Sequence, residues 1–213
     1  MRPLVAILSC HSQAEQDDTC RATWLKASPV NYRFFLGRDP NFGAGGKFPK
    51  LDEEFLDCDD AYLALPFKTQ ALCRYALAHD YTHLFKCDND TYVDVPRLLA
   101  SGFSNYDYVG FDWDGRGGYC SGGAGYWLSR AAMEVVTVAA FTLDHGDAMC
   151  RSLRGEDLQV GEALRAAGIR PTGDRRYRLR TPGPARGNDI ITLHDIINPC
   201  KGARMLEVHN ELI

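Results

Sequence analysis

Apolar runs of strand length alternate with segments of helical spacing from the first residues of this chain. Leu4 to Cys10 reads as a buried strand, Ala14 to Leu25 as a helix, and Tyr32 to Leu36, closed by Gly37, as a second strand. After a Gly- and Pro-rich loop, Arg38 to Lys50, the segment Ala61 to Ala78 carries helical spacing through Leu65, Leu72, Tyr75 and Leu77. Pro66 fits only its first turn, because a later proline would remove a helix hydrogen bond. Thr82 to Cys87, Tyr106 to Phe111, Gly125 to Leu128 and Ile190 to Leu193 add strands, and Arg130 to Ala140 and Asp157 to Ala167 add helices. A further Gly- and Pro-rich loop covers Thr181 to Gly187. Such alternation predicts an α/β fold, with a mixed, mostly parallel central sheet flanked by helices. At 213 residues the chain suffices for one such core and is short for two, and it shows no repeat or dividing linker. Residues 1–213 are therefore expected to form a single domain, either alone or as one module of a longer polypeptide.

Charge and composition exclude several classes. A net charge of -4 lacks the basic face of a nucleic-acid binder. No apolar run approaches the roughly 20 residues that span a bilayer, and Leu4 to Leu8 is too short for the core of a secretory signal. The eight cysteines are scattered, none at the Cys-x-x-Cys spacing of a zinc site, several within apolar runs. They read as small buried thiols of a reducing compartment, which places the chain in a cytoplasm.

The most informative segment is Phe85-Lys86-Cys87-Asp88-Asn89-Asp90-Thr91-Tyr92-Val93. An apolar strand delivers two carboxylates, two residues apart, to the edge of a parallel sheet, where open α/β sheets bind ligands. Crowded carboxylates repel one another, and a divalent cation relieves that repulsion. Oxygen donors of this kind suit Mg²⁺ or Mn²⁺, which also accept the oxygens of a diphosphate. A calcium loop is excluded, because its sixth position requires glycine and here holds Val93. An aspartyl-phosphate phosphatase and a solvated acidic turn remain as alternatives on this segment alone.

The surrounding motifs narrow the choice. In order along the chain stand Arg21-Ala22-Thr23-Trp24, the strand Phe34-Phe35-Leu36-Gly37, the acidic stretch Leu51 to Tyr62, and Leu65-Pro66-Phe67-Lys68-Thr69. The acidic turn follows, then Tyr119-Cys120-Ser121-Gly122-Gly123-Ala124-Gly125-Tyr126, and then Gly155-Glu156-Asp157-Leu158-Gln159-Val160-Gly161. This succession resembles the β-1,3-glycosyltransferase superfamily that includes Fringe and the β-1,3-galactosyltransferases. The resemblance implies a GT-A fold and a metal-dependent, inverting transfer of a hexose. The donor is a nucleotide-diphosphate sugar, UDP-linked in that family, and the acceptor a carbohydrate or glycoprotein-glycan hydroxyl. Asn89 replaces the middle acid of the family pattern, and Ala124 displaces one of its glycines. The membrane anchor and stem of Golgi members are missing from the sequence, as expected of a bare catalytic core from a bacterium or large DNA virus, in the latter case in the host cytoplasm.

The same resemblance assigns roles. Asp90, with Asp88 and His194, would hold Mn²⁺ or Mg²⁺, Asp88 acting on the ribose or on metal-bound water, and Asp195 standing behind His194. Asp157 would be the general base that takes the acceptor hydroxyl's proton, with Glu156 as its substitute. Asp88, Asn89, Gly122 and Gly123 would contact the donor, as would Arg21 and Lys68, with Asp60 orienting a basic group, although buried or partly exposed salt bridges explain these last three residues equally well. Gly122, Gly123 and Gly125 admit a close backbone approach, although a plain turn needs them equally. Trp113 suits stacking against an acceptor sugar or burial in a core, and Arg175, Arg176, Arg178 and Arg180 suit a solvated face or phosphate steering. The competing functions are a catalytically inactive nucleotide- or carbohydrate-binding module and an Asp-x-Asp phosphatase.

Overall fold

The computed structural model describes residues 1–26, 30–39, 48–113, 115, 117–143, 155–179, 189–194 and 202–212. The strands are β1 (Pro3–Leu8), β2 (Asn31–Leu36), β3 (Glu53–Phe55), β4 (His83–Asp88), β5 (Tyr92–Val93), β6 (Tyr108–Gly110), β7 (Tyr126–Ser129), β8 (Thr172–Gly173), β9 (Tyr177–Arg178) and β10 (Thr192–Leu193). The helices are α1 (Ala14–Ala22), α2 (Leu65–Ala78), α3 (Val95–Leu99), α4 (Arg130–Val138), α5 (Glu156–Ala166) and α6 (Gly202–Leu212).

Seven strands form the central sheet in the order β3-β2-β1-β4-β7-β6-β8. The β3-β2-β1-β4 half is parallel throughout, while β7 runs antiparallel to both β4 and β6. The sheet is therefore mixed and mostly parallel, as the alternation predicted. Strands β5, β10 and β9 make a small separate sheet.

Helices cover both faces, so the inner strands are apolar on both sides. On one face Val5, Ile7, Phe34, Phe85 and Trp127 pack with Cys20 of α1 and with Met205 and Val208 of α6. On the other, Leu4, Ala6, Phe35, Leu84 and Leu128 meet Leu72, Met133, Val160 and Leu164 from α2, α4 and α5. All of these side chains are fully buried, and each large one contributes about 1.5–3 kcal/mol of transfer free energy.

Helix boundaries follow local chemistry. Pro66 occupies the first turn of α2, preceded by a 3₁₀ turn over Tyr62–Ala64, so the α-helix begins later than Ala61. Ser129 caps α4 by accepting a hydrogen bond from Ala132 N, and Asp94 caps α3 by accepting from Arg97 N. Helices α3 and α6 and the short strands β5 and β8 were not anticipated from sequence; two-residue strands carry no period. Most of the loop at Arg38 to Lys50, the loop at Thr181 to Gly187, Asp195 and Arg180 lie outside the described residues. Among the described residues no helix is long and apolar enough to cross a membrane. Cys10, Cys20, Cys58, Cys73, Cys87 and Cys120 are free thiols, the last three and Cys20 buried.

Candidate active site

Strand β1 lies between β2 and β4. The chain leaves β1 toward β2 and β3 on one side and returns to β4 on the other, which creates a switch point between the carboxyl ends of β1 and β4. Register places Leu8 level with Asp88, and just beyond it Ser9 Oγ lies 3.2 Å from Asn89 Nδ2. A cleft of about 930 Å³ opens there, lined among others by His11, Asp60, Lys68, Asp88, Asn89 and Asp90.

The turn after β4 is closed by Thr91 N donating to Asp88 O at 3.2 Å. Asn89 points inward and is 3% exposed. Asp90 meets His194, with Oδ1 and Nδ1 3.3 Å apart. His194 follows β10, and its Nδ1 also lies 3.2 Å from Thr91 Oγ1, which donates to Gly123 O. Burial works against a charged His194, but the Asp90 hydrogen bond and the charges of Asp88 and Asp90 outweigh it, and its pKa is raised. Asp88 instead approaches Lys86, at 3.3 Å.

Lys86 is a buried cation on the same face of β4 as Asp88, and it reaches Glu156 Oε2 at 3.1 Å. Burial opposes its charge, but Asp88, Glu156 and Asp157 outweigh that and raise its pKa. Glu156 accepts from Thr69 Oγ1 at 2.7 Å and Tyr126 OH at 2.8 Å, and it is 3% exposed. Both Glu156 oxygens are thus engaged within the protein, Oε1 by Thr69 and Tyr126 and Oε2 by Lys86. The Lys86–Glu156 bridge ties the acidic turn to the first turn of α5.

Asp157 is partly buried at the second position of α5, whose cap is Gly155, so it does not serve as the cap residue. Gly122 N donates to its Oδ2 at 2.9 Å. Burial, helped by the neighbouring Glu156 charge, raises its pKa to about 6 against the pull of Lys86 and the Gly122 N–H. The glycine loop is shaped by close approach. A Cβ on Gly122 would lie 2.5 Å from Lys86 Nζ, and one on Gly123 would lie 2.7 Å from the His194 ring. Gly125 has φ +82°, a left-handed conformation suited to glycine.

The remaining expected site residues divide. Lys68 and Asp60 both line the cleft but pair with each other at 2.8 Å. Lys68 also donates to Ser9 O, and Asp60 accepts from His11 N and Gly37 N, so together they lock the ends of β1 and β2 beside α2. Arg21 does not line the cleft. Its guanidinium binds Asp52, Glu53 and Asp18 and covers the Phe34 ring. Trp113 is 47% exposed, not a core residue, and stacks near Tyr119 at 6.4 Å. Arg176 pairs with Asp174 and Arg178 with Asp189, whereas Arg175 is exposed.

Among the described residues, no three His, Cys, Asp or Glu side chains converge into a preformed metal cage. A carboxylate with an imidazole nonetheless fits Mn²⁺ chemistry. Magnesium-type ions commonly keep several waters and take only one or two carboxylates beside substrate phosphates. Lys86 and Asp17, which binds Asn89, were missed from sequence. An ionisable residue inside the apolar run before Asp88 was the available signal for Lys86, and Asp17 beside Asp18 gave none.

The sheet order, the switch point and the flanking helices define the fold of the nucleotide-diphospho-sugar transferases. A solved protein from Desulfovibrio desulfuricans G20, assigned as a nucleotide-diphospho-sugar transferase, matches with a TM-score of 0.52 over 82% of this chain and 80% of that one, at 10% identity. A glycosyltransferase involved in glycosylation of the PBCV-1 major capsid matches at TM-score 0.47 and 14% identity, covering 98% of this chain and 100% of its own. The glycosyltransferase GlyE of Streptococcus pneumoniae TIGR4 matches at TM-score 0.45 and 12% identity, over 84% of this chain and 46% of its own. No family model matches the sequence.

Proposed function

We propose that this chain is a metal-dependent, inverting glycosyltransferase that moves a sugar from a nucleotide-diphosphate donor to a carbohydrate or glycoprotein-glycan hydroxyl. The observation that carries this reading is the placement of Asp88, Asn89 and Asp90 at the carboxyl end of β4, beside a cleft at the switch point. The choice of UDP as the nucleotide, of a hexose and of inversion rests on the resemblance to the Fringe-type enzymes.

Asp90 and His194 are the residues that would hold Mn²⁺, or Mg²⁺ in its place. A bound divalent cation supplies positive charge to a departing diphosphate. Asp157 takes the acceptor hydroxyl's proton as that oxygen bonds to the anomeric carbon and the bond to the diphosphate breaks. A pKa of about 6 leaves Asp157 ionised at neutral pH and still basic enough to accept the proton. The Gly122 N–H orients that carboxylate, while the Lys86–Glu156 bridge fixes the helix that presents it. Asp60 and Lys68 shape the cleft wall and do not reach out for ligand.

Calorimetry with UDP in Mn²⁺ and in EDTA tests this reading. Tight binding is expected only with the cation, and Asp90→Ala is expected to abolish it while the far-ultraviolet spectrum stays unchanged. Equal affinity in EDTA and Mn²⁺ would refute metal dependence, and a screen of UDP- and GDP-sugars for hydrolysis identifies the donor.

A further inference from the structure

The middle residue of the acidic turn is an amide between two carboxylates, and the structure supplies a reason. Asn89 Nδ2 donates to Asp17 Oδ1 at 2.8 Å and lies 3.2 Å from Ser9 Oγ. Ser9 Oγ in turn donates to Asp17 Oδ2 at 2.7 Å. Asp17 is 1% exposed, Asn89 3% and Ser9 4%. The backbone carbonyl of Asn89 accepts from Cys20 Sγ at 3.1 Å. One buried knot thus joins helix α1, the end of β1 and the turn that carries Asp88 and Asp90. Among the described residues, the side chains that hydrogen-bond Asp17 are both neutral, and the Arg21 charge acts on it without a hydrogen bond. A carboxylate at position 89 would lack the amide donor and would repel Asp17 across 2.8 Å unless the two shared a proton, away from water.

We infer that Asp17 is a positioning residue for the acidic turn. Its buried carboxylate grips the Asn89 amide and so sets the direction in which Asp88 and Asp90 leave β4. The identity of residue 89 follows, because this chain places its third carboxylate beneath the turn, on α1, and therefore needs a donor within it. The functional consequence rests on the proposed nucleotide-sugar chemistry, but the geometric statement does not.

The test exchanges the two groups. Asn89→Asp, Asp17→Asn, the double variant Asp17→Asn/Asn89→Asp, and Asp17→Ala are compared by amide hydrogen exchange of the 87–91 segment and by calorimetry with UDP and Mn²⁺. Asn89→Asp and Asp17→Ala should each speed exchange in the turn and weaken binding by about tenfold or more, the scale of a lost hydrogen bond to a charged group. Asp17→Asn should be mild, because an amide oxygen still accepts from Asn89. The double variant, with donor and carboxylate exchanged, should return to within about threefold of wild type. Exchange in the turn that is unchanged by Asn89→Asp and Asp17→Ala would overturn the inference. So would a double variant no better than Asn89→Asp, or a loss of melting temperature with normal affinity per folded molecule. Should Asn89→Asp not fold, Asp17→Ala against Asp17→Asn makes the same comparison. A wild-type chain that binds no nucleotide would defeat the proposed function, and the exchange measurements would still decide this point.

Discussion

At the level of single residues, Asp157 carries the sharpest expectation. Asp157→Asn keeps the size of the side chain and its acceptor for Gly122 N–H, yet removes the base. Transfer should fall by about 10²–10⁴-fold, the usual contribution of a positioned acid–base group, while UDP affinity with Mn²⁺ stays unchanged. Near wild-type turnover in this variant would remove Asp157 from the mechanism. In the wild-type enzyme kcat should decline below about pH 6, as Asp157 becomes protonated. The same shift has a signed effect on stability. An acid whose pKa is raised by folding stabilises the fold below its ordinary value of 3.8, and that stability is lost as pH rises through about 6. Asp157→Asn should therefore melt higher than wild type at pH 8, with the difference closing near pH 4. A variant that melts lower at pH 8 would show that the ionised carboxylate is stabilising.

Between elements, the site is an arrangement of three short connections: the turn after β4, the glycine loop before β7 and the head of α5. Thr91 joins the turn to the glycine loop by donating to Gly123 O, and the glycine loop meets α5 through Gly122 N and Asp157. Gly123 leaves space for the His194 ring, and Gly122 leaves space for Lys86 and donates to Asp157. Gly123→Ala would put a methyl carbon 2.7 Å from His194, so the ring or the loop must shift and the His194–Asp90 geometry changes. Overpacking of this kind costs about 1–3 kcal/mol. The expected outcome is weaker Mn²⁺ affinity by calorimetry, with Asp157 chemistry affected only through metal loading. Saturating Mn²⁺ should restore most of kcat; a kcat that stays low would place the damage at α5 instead.

At the scale of the whole molecule, the cleft is lined by the ends of β1 and β4 and by residues at the start of α2, while Asp157 stands on α5, outside that lining. On the proposed mechanism, the groups that meet the donor lie at β1 and β4 and the base lies on α5. If the acceptor oxygen attacks opposite the diphosphate in one step, the product carries the anomeric configuration opposite to the donor's. Proton NMR of the anomeric signal during the first turnovers checks this, and a retained configuration would require a double displacement.

The alternating periods along the chain determined the class of fold, because runs such as Leu4 to Leu8 and His83 to Cys87 must be buried on both faces and their connections are helical. Sequence also carried Asp88 and Asp90 to the carboxyl end of a central strand, since a polar turn directly after a buried strand has nowhere else to go. The tertiary structure decided what those residues touch. Arg21 is fully engaged by Asp52 and Glu53, Lys68 is neutralised by Asp60, and Asn89 faces Asp17. Each of these pairs joins residues that are far from each other in the chain or on different elements. Local propensity is blind to them, because the free energy of a buried charge depends on the partner that folding brings within about 3 Å.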